Sequence, residues 1–297
     1  MKWRGRGAGG RIEDRRGAGG GFGGGLPLPM GKAGGGLGLI ILVVIYLLTG
    51  SGIPGGGGGG FGIDPGTGQL PQAPSASPAD LERTPSDDPG KFVDFVAGDV
   101  DKVWQKLFED SGKIYEPATI VLYDNAVSSA CGQTPSTVGP FYCPNDRKVY
   151  LDLTFLDELQ RRLGAPGDFA AAYVIAHEIG HHVQNLLGVM EDVNLQQQES
   201  PDDANELSVR LELQADCLAG IWGHSAYAQK DLLESGDLEE ALTAAAAVGD
   251  DRIQRQSGGD VRPDTFTHGS GEQRVKWFRA GFDAGAPTAC DTFKGDV

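Results

Sequence analysis

"AHEIGHHVQ", residues 176–184, holds three of the chain's five histidines and one glutamate within nine positions. On a helix, residues four apart lie one turn apart, so His177 and His181 project from one face with Cβ atoms about 5–6 Å from each other. Both imidazoles then reach a single ion at the roughly 2.0–2.1 Å that zinc requires. Glu178 lies about 100° round the helix from His177, beside such an ion without being forced onto it. A carboxylate there takes a proton from metal-bound water, whose pKa zinc lowers to about 7. The plainer alternative is two solvated histidines. His182, a further step round, is read as lying behind the ligands or at the surface.

The surrounding stretch "GDFAAAYVIAHEIGHHVQNLLG" reads as one helix with Asp168 at its N-cap and Gly188 as its C-terminal stop. Gly180 inside it costs about 1 kcal/mol relative to alanine, so another element is expected to approach its backbone closely. The "KVYLDL" strand is the expected neighbour, forming the upper rim of a cleft where an extended peptide binds by strand addition.

A matching acidic site follows in "ELQAD", Glu212–Asp216. Its two carboxylates are again four apart, set among Leu211, Leu213, Ala215, Leu218 and Ile221. Burying such a pair costs too much without partners, and a cation with its histidines would supply them. Glu212 is therefore assigned as third metal ligand. Asp216 is assigned as the acceptor of a ligand histidine's outer N–H. The competing reading turns one or both acids to solvent. His224 is off the Glu212 face and has no assigned role.

Glycine is far above its usual share at 47 of 297 residues, and the excess sits at the front. Residues 1–36 carry seven basic side chains and two acidic ones, in a chain whose net charge is −16. The remainder is strongly acidic, which argues against a nucleic-acid partner. "GLGLIILVVIYLLTGSGI", residues 36–53, is uncharged and densest in Ile, Leu and Val from Leu37 to Leu48. With its flanks it approaches the roughly 20 residues of a membrane helix. A signal-peptide core or a buried helix are the alternatives. The long lead and the lack of a clear small-x-small cleavage site favour an uncleaved single-pass anchor at 37–53. The basic residues 1–36 then form a cytoplasmic segment and the acidic bulk is extracytoplasmic.

Residues 54–89, opening with "GGGGGGFG" from Gly55 and continuing rich in Pro, Ser and Ala, read as a flexible linker. The folded domain is expected from Gly90 to the end. It opens with a helix in "KFVDFVAGDVDKVWQKLFEDSG", continues with strands at 118–124 and 148–156, and ends in a run of helices. One of these starts at Ser200 and Pro201. Another covers about 237–249, and a third opens on a capping-box spacing, Ser270 to Gln273. The order implies an α+β fold, mainly helical, with a small sheet.

Four cysteines, Cys131, Cys143, Cys217 and Cys290, suit an extracytoplasmic domain in which disulfides persist. Three pairings exist. Cys131 with Cys143, flanking a short Pro/Gly loop, is the favoured local bridge and leaves Cys217 with Cys290; free buried thiols are the alternative.

"HEIGHHVQ", "ELQADCLAG" and "THGSGEQRVKWFRAGF", with the Arg-rich start, the apolar stretch and "GPFYCP", resemble the bacterial family described as putative neutral zinc metallopeptidases, which is similar in its motifs to gluzincins. The resemblance covers nearly the whole chain apart from the linker. It implies a zincin-like, gluzincin-type domain with one Zn2+ per chain on His177, His181 and Glu212, and Glu178 as base. His268, in "THGS", is similar to the His of a Thr-His-Pro segment in one gluzincin branch, with Gly269 in place of proline. The resemblance gives it the role of donating to the oxyanion; a capping or surface role is the alternative.

The expectation is thus a membrane-anchored zinc endopeptidase acting on peptides or proteins, its oligomeric state open. A catalytically inactive envelope-binding module is the second reading, and the retained Glu178 speaks against it. A non-haem iron oxygenase, using the same ligand types, is the third.

Overall fold

The computed structural model describes residues 1–7, 9–17, 88–135, 138–229 and 232–297. It is an α+β body, mainly helical, with a four-stranded sheet. Chain order runs β1 (Arg11–Asp14), α1 (Asp88–Asp110), β2 (Thr119–Tyr123), β3 (Ala126–Ser129), β4 (Gly132–Pro135), β5 (Phe141–Cys143) and β6 (Lys148–Asp152). The helices α2 (Thr154–Arg161), α3 (Asp168–Leu186), α4 (Val189–Glu199), α5 (Ala204–Ala228), α6 (Asp237–Ala247), α7 (Asp250–Gln256) and α8 (Gly271–Ala284) follow.

The sheet runs β1-β2-β6-β5, with β1, β2 and β6 parallel and β5 antiparallel on the edge. Alternation along its strands divides them between two cores. Ile120, Leu122, Tyr142, Val149 and Leu151 face the helices, while Val121, Tyr123, Phe141, Cys143 and Tyr150 join Val127 of the β3–β4 hairpin. Both faces are covered, which is why the strand sequences are almost continuously apolar.

At the centre lies α3, buried along every residue from Phe169 to Gln184. Its alanines and Gly180 keep it thin enough for α1, α4, α5, α6 and the sheet to pack round it. The second long helix, α5, crosses it, and α8 lies against α5. Two disulfides lock the periphery, Cys131–Cys143 and Cys217–Cys290. The local bridge joins the hairpin turn to the end of β5; the longer one ties α5 to the chain's C-terminal stretch.

Several expectations are corrected. The folded body does not begin at Gly90: α1 starts at Asp88, and residues 1–17 belong to the same body instead of forming a separate segment. Strand β1 pairs with β2 over its whole length. Trp3 is buried edge-on against Phe92, and the backbone of Gly9 and Gly10 lies where a side chain on Gly98 would be. Asp168 is the first helical residue of α3, not its N-cap, and pairs with the Met1 amino group at 2.5 Å. The polar connector before Ser200 is helix α4. Residues Pro201–Asp203 form a separate 3-10 turn ahead of α5, and neither Ser200 nor Asp203 caps with its side chain. The capping box of Ser270 and Gln273 is present in both directions. Among the described residues no helix is long and apolar enough to cross a membrane; the stretch 37–53 and the linker 54–87 lie outside them.

Inside α1, Asp101 is buried and accepts a 2.7 Å hydrogen bond from the Tyr115 hydroxyl. Burial outweighs that bond and the Arg11 charge, raising its carboxyl to about 6. The folded state therefore binds this proton more tightly than the unfolded chain, whose Asp titrates near about 3.9. Stability from this group is greatest below that value and is lost as pH rises to about 6, by at most about 3 kcal/mol. Asp101→Asn should flatten that loss; urea unfolding of both proteins from pH 4 to pH 7 checks it through the difference in slope.

Candidate metal centre

Helices α3 and α5 each contribute a pair of side chains four residues apart, and the crossing brings the pairs face to face. A glycine at position 180 permits it: a Cβ there would meet the Ala215 carbonyl oxygen at 3.0 Å and its Cα at 3.3 Å. The close neighbour of Gly180 is thus α5, not the "KVYLDL" strand. That strand, β6, is hydrogen-bonded on both sides, so the open edge beside the cleft belongs to β5.

One nitrogen or oxygen from each of His177, His181 and Glu212 lies within 4.8 Å of the other two. His177 Nε2 is 3.2 Å from Glu212 Oε2, and His181 Nε2 is 3.4 Å from Glu212 Oε1. All three residues are buried. Behind them, each imidazole is held by its other nitrogen. His177 Nδ1 lies 2.9 Å from Asp216 Oδ1, and His181 Nδ1 lies 2.9 Å from Gln184 Oε1. Gln184 in turn donates to the Leu211 carbonyl at 2.7 Å, coupling His181 to the backbone of α5. Fixing the outer nitrogens leaves both Nε2 atoms pointed at Glu212, the donor set that zinc takes.

Asp216 carries more than one histidine. The Arg274 guanidinium of α8 donates to both of its oxygens, at 2.9 and 3.0 Å, and the Tyr173 hydroxyl donates at 2.5 Å. Arg274 and Tyr173 were not picked out by sequence reasoning, nor was Gln184. Arg274 sat in a quoted motif, yet an arginine on a helix gives no sign of whether it turns inward.

The charges decide the protonation of the site. Burial opposes ionisation of Asp216, but Arg274 and His177 hold its carboxyl below the usual range. Burial likewise opposes Glu212, and the charges of His181 and His268 keep it well below. His177 would be lowered by burial, yet Asp216 and Glu212 push it up to about 9. Glu178 differs: burial raises it, and the neighbouring histidines only partly oppose. A raised carboxyl beside the ligands is suited to taking up a proton.

His268 lines the same cleft, which has a volume of about 290 Å3 and mostly apolar walls, including Val138, Phe141, Tyr142, Phe155 and Met190. Its Nδ1 is 3.2 Å from Asp250 Oδ1, and Asp250 Oδ2 accepts the backbone N–H groups of Thr267, His268 and Gly269 at 2.7–3.1 Å. Asp250 thus fixes both the ring and the loop that presents it, a residue that the sequence reading also missed. Burial would lower His268, and the Glu212 and Asp250 charges raise it instead.

His182 is neither surface nor beside the ligands. It is buried on the opposite side of α3, with Nδ1 3.0 Å from the Tyr142 hydroxyl and Nε2 2.6 Å from the Glu116 carbonyl. Burial lowers its pKa. His224 donates to the Phe282 carbonyl at 2.7 Å, away from the site. A second acidic group, Asp168, Asp237 and Glu240, also converges, but the Met1 ammonium already sits on Asp168 and Asp237.

The family described as "Putative neutral zinc metallopeptidase" matches residues 1–293. Among curated proteins, "Uncharacterized protein YpfJ" of Escherichia coli K12 is 52% identical over 208 residues, covering 70% of this chain and 72% of its own. "Uncharacterized protein Rv2575" of Mycobacterium tuberculosis H37Rv is 42% identical over 253 residues, covering 78% and 83%. No solved structure matches.

The Gln184 bridge yields a measurable expectation. Gln184→Ala should weaken zinc binding about 10–100-fold, since an outer partner of a ligand histidine is worth that much. Competition against a chromophoric chelator reads the affinity, and thermal unfolding of the metal-free protein separates loss of orientation from loss of fold.

Proposed function

As the chain belongs to the putative neutral zinc metallopeptidase family, we propose that it is a zinc-dependent endopeptidase that hydrolyses peptide bonds in the cleft beside α3. The observation that carries this reading is the convergence of His177, His181 and Glu212 with Glu178 alongside them and an open cleft in front. Three protein ligands leave a fourth position free, as a catalytic zinc site requires. Zinc bound there supplies Lewis acidity toward water and toward a peptide carbonyl.

The chain's own groups do the rest. Glu178, lifted by burial, accepts the proton of the attacking water and passes it to the leaving amine. His268, with Nδ1 fixed by Asp250, offers Nε2 as a donor to the oxygen on which negative charge develops. Because the loop N–H groups bind the same carboxylate, this donor is placed before substrate arrives. The edge strand β5 offers a free backbone edge to an extended peptide, while Phe141 and Tyr142 line the cleft. We read the arrangement as zincin-like and of gluzincin type, with the second carboxylate of its Glu-x-x-x-Asp pair orienting the first histidine. Two disulfides support an extracytoplasmic location, and the apolar stretch at 37–53 supports attachment to the membrane.

The test uses the full chain purified without added metal. One zinc per chain is expected, lost in Glu212→Ala and retained in Glu178→Gln, with hydrolysis of a quenched fluorescent peptide library abolished in both. Zinc that is indifferent to Glu212, or hydrolysis that survives Glu178→Gln, would refute the assignment. With a substrate from that library, His268→Ala should lower kcat about 10²–10³-fold at nearly constant KM, the usual cost of one oxyanion donor. Asp250→Asn should give a smaller loss in the same direction.

A further inference from the structure

Strand β1 lies upstream of the apolar stretch Leu37–Leu48, and the rest of the sheet lies downstream of it. Paired strands are only about 4.7–4.9 Å apart, whereas one crossing of a bilayer separates its flanks by about 30 Å of hydrocarbon. A single crossing between residues 17 and 88 and the pairing of β1 with β2 are therefore mutually exclusive. We infer that residues 1–17 and 88–297 occupy one compartment. This replaces the single-pass arrangement with a cytoplasmic N-terminus.

Three independent features make the docking specific. The first is backbone pairing in register, Arg11 to Thr119 through Asp14 to Leu122. The second is steric. Gly10 N–H donates to the Asp94 carbonyl and carboxylate, and a Cβ on Gly10 or Gly98 would come within 3.0 Å of the opposing segment. The third is burial: Trp3 and Ile12 are part of the main core. Glu13, 1% exposed, is neutralised from both sides by Arg15 and by Lys148 of β6, each at 2.7 Å. Because Lys148 comes from β6, this carboxylate is paired with the body as well as within its own segment.

Part of the segment's positive charge also acts on the body. Excess Arg and Lys beside an apolar stretch ordinarily argues for retention in the cytoplasm. Here Arg4 faces Asp88, Arg16 pairs with Asp14, and the Arg11 charge acts on buried Asp101. Arg4 and Arg11 thus act on acids of the body, while Arg16 is paired within the segment. An even number of crossings is needed to return the chain to one side, and two would take about 40 apolar residues where the sequence offers one short stretch. The family match begins at residue 1, so the segment is part of the shared pattern.

The full chain is expressed in a bacterial host with one epitope inserted between Gly19 and Gly20 and another after Val297. Intact spheroplasts are treated with protease, beside lysed controls. Both epitopes should be lost at the same rate, or both retained if the body faces the cytoplasm. Loss of one with retention of the other overturns the inference. In the same membranes, untagged protein is treated with a zero-length carbodiimide. A peptide containing Met1 should be recovered joined through its amino group to one containing Asp168 or Glu234, whose carboxylates are open to the reagent. Its absence, while the Lys106–Asp110 link forms, overturns the docking itself. Neither readout depends on metal or on hydrolysis, so failure here leaves the peptidase proposal to its own tests.

Discussion

The close crossing of α3 and α5 at Gly180 and Ala215 is the constraint on which the site rests. Each helix carries a pair of polar side chains one turn apart, and neither pair is useful alone. A Cβ at 180 would press on the Ala215 backbone and make α5 give way by a few tenths of an ångström, shifting Glu212 relative to His177 and His181. The helix gives up about 1 kcal/mol of intrinsic propensity at this glycine. In return the ligand atoms come within 4.8 Å of one another without any loop having to order round them. A site on two packed helices is more rigid than one on mobile connections.

Bringing Glu178, Glu212 and Asp216 into a buried space creates an electrostatic problem that the rest of the fold answers. Two buried carboxylates on α5 and one on α3 would be unstable without nearby positive charge. His177 and His181 supply part of it. Arg274, from α8, supplies more through its two-point contact with Asp216. Helix α8 is thereby drawn into the site, although it sits far along the chain from the histidine motif. The Cys217–Cys290 disulfide starts one residue after Asp216 and ties α5 to the stretch beyond α8. Covalent and ionic links thus meet on the same turn of α5.

How much of this was legible depended on whether a residue's partner lay at helical spacing. His177, His181, Glu212 and Asp216 could be paired because four residues make one turn, and apolar neighbours showed which faces turned inward. Both disulfides also followed the favoured reading, and the capping box of α8 was visible as a pattern. Asp250, Gln184, Tyr173 and Arg274 act through contacts between elements, and no spacing rule announces those. Strand β1 was hidden for a different reason. "RIED" has one apolar residue in four and sits in a glycine-rich, basic stretch, so composition pointed to a solvated segment. Its pairing is specified by what it docks against, the Gly98 face of α1 and the edge of β2, and only the fold brings these together.

The three histidines of the motif divide between two faces of α3. His177 and His181 face α5, whereas His182 points to the sheet and contacts the Tyr142 hydroxyl of β5 and the Glu116 carbonyl just ahead of β2. Asn185, one turn from His181, donates to the same hydroxyl at 2.8 Å. Little more than two turns of α3, from His177 to Asn185, therefore set the position of the candidate ligands on one side and of the edge strand on the other. Tyr142 and His181 both line the cleft, so its two walls are registered through a single rigid helix. The distance from β5 to the Glu178 side of that helix is thus fixed by α3 itself, with the local disulfide at Cys143 holding the strand's far end.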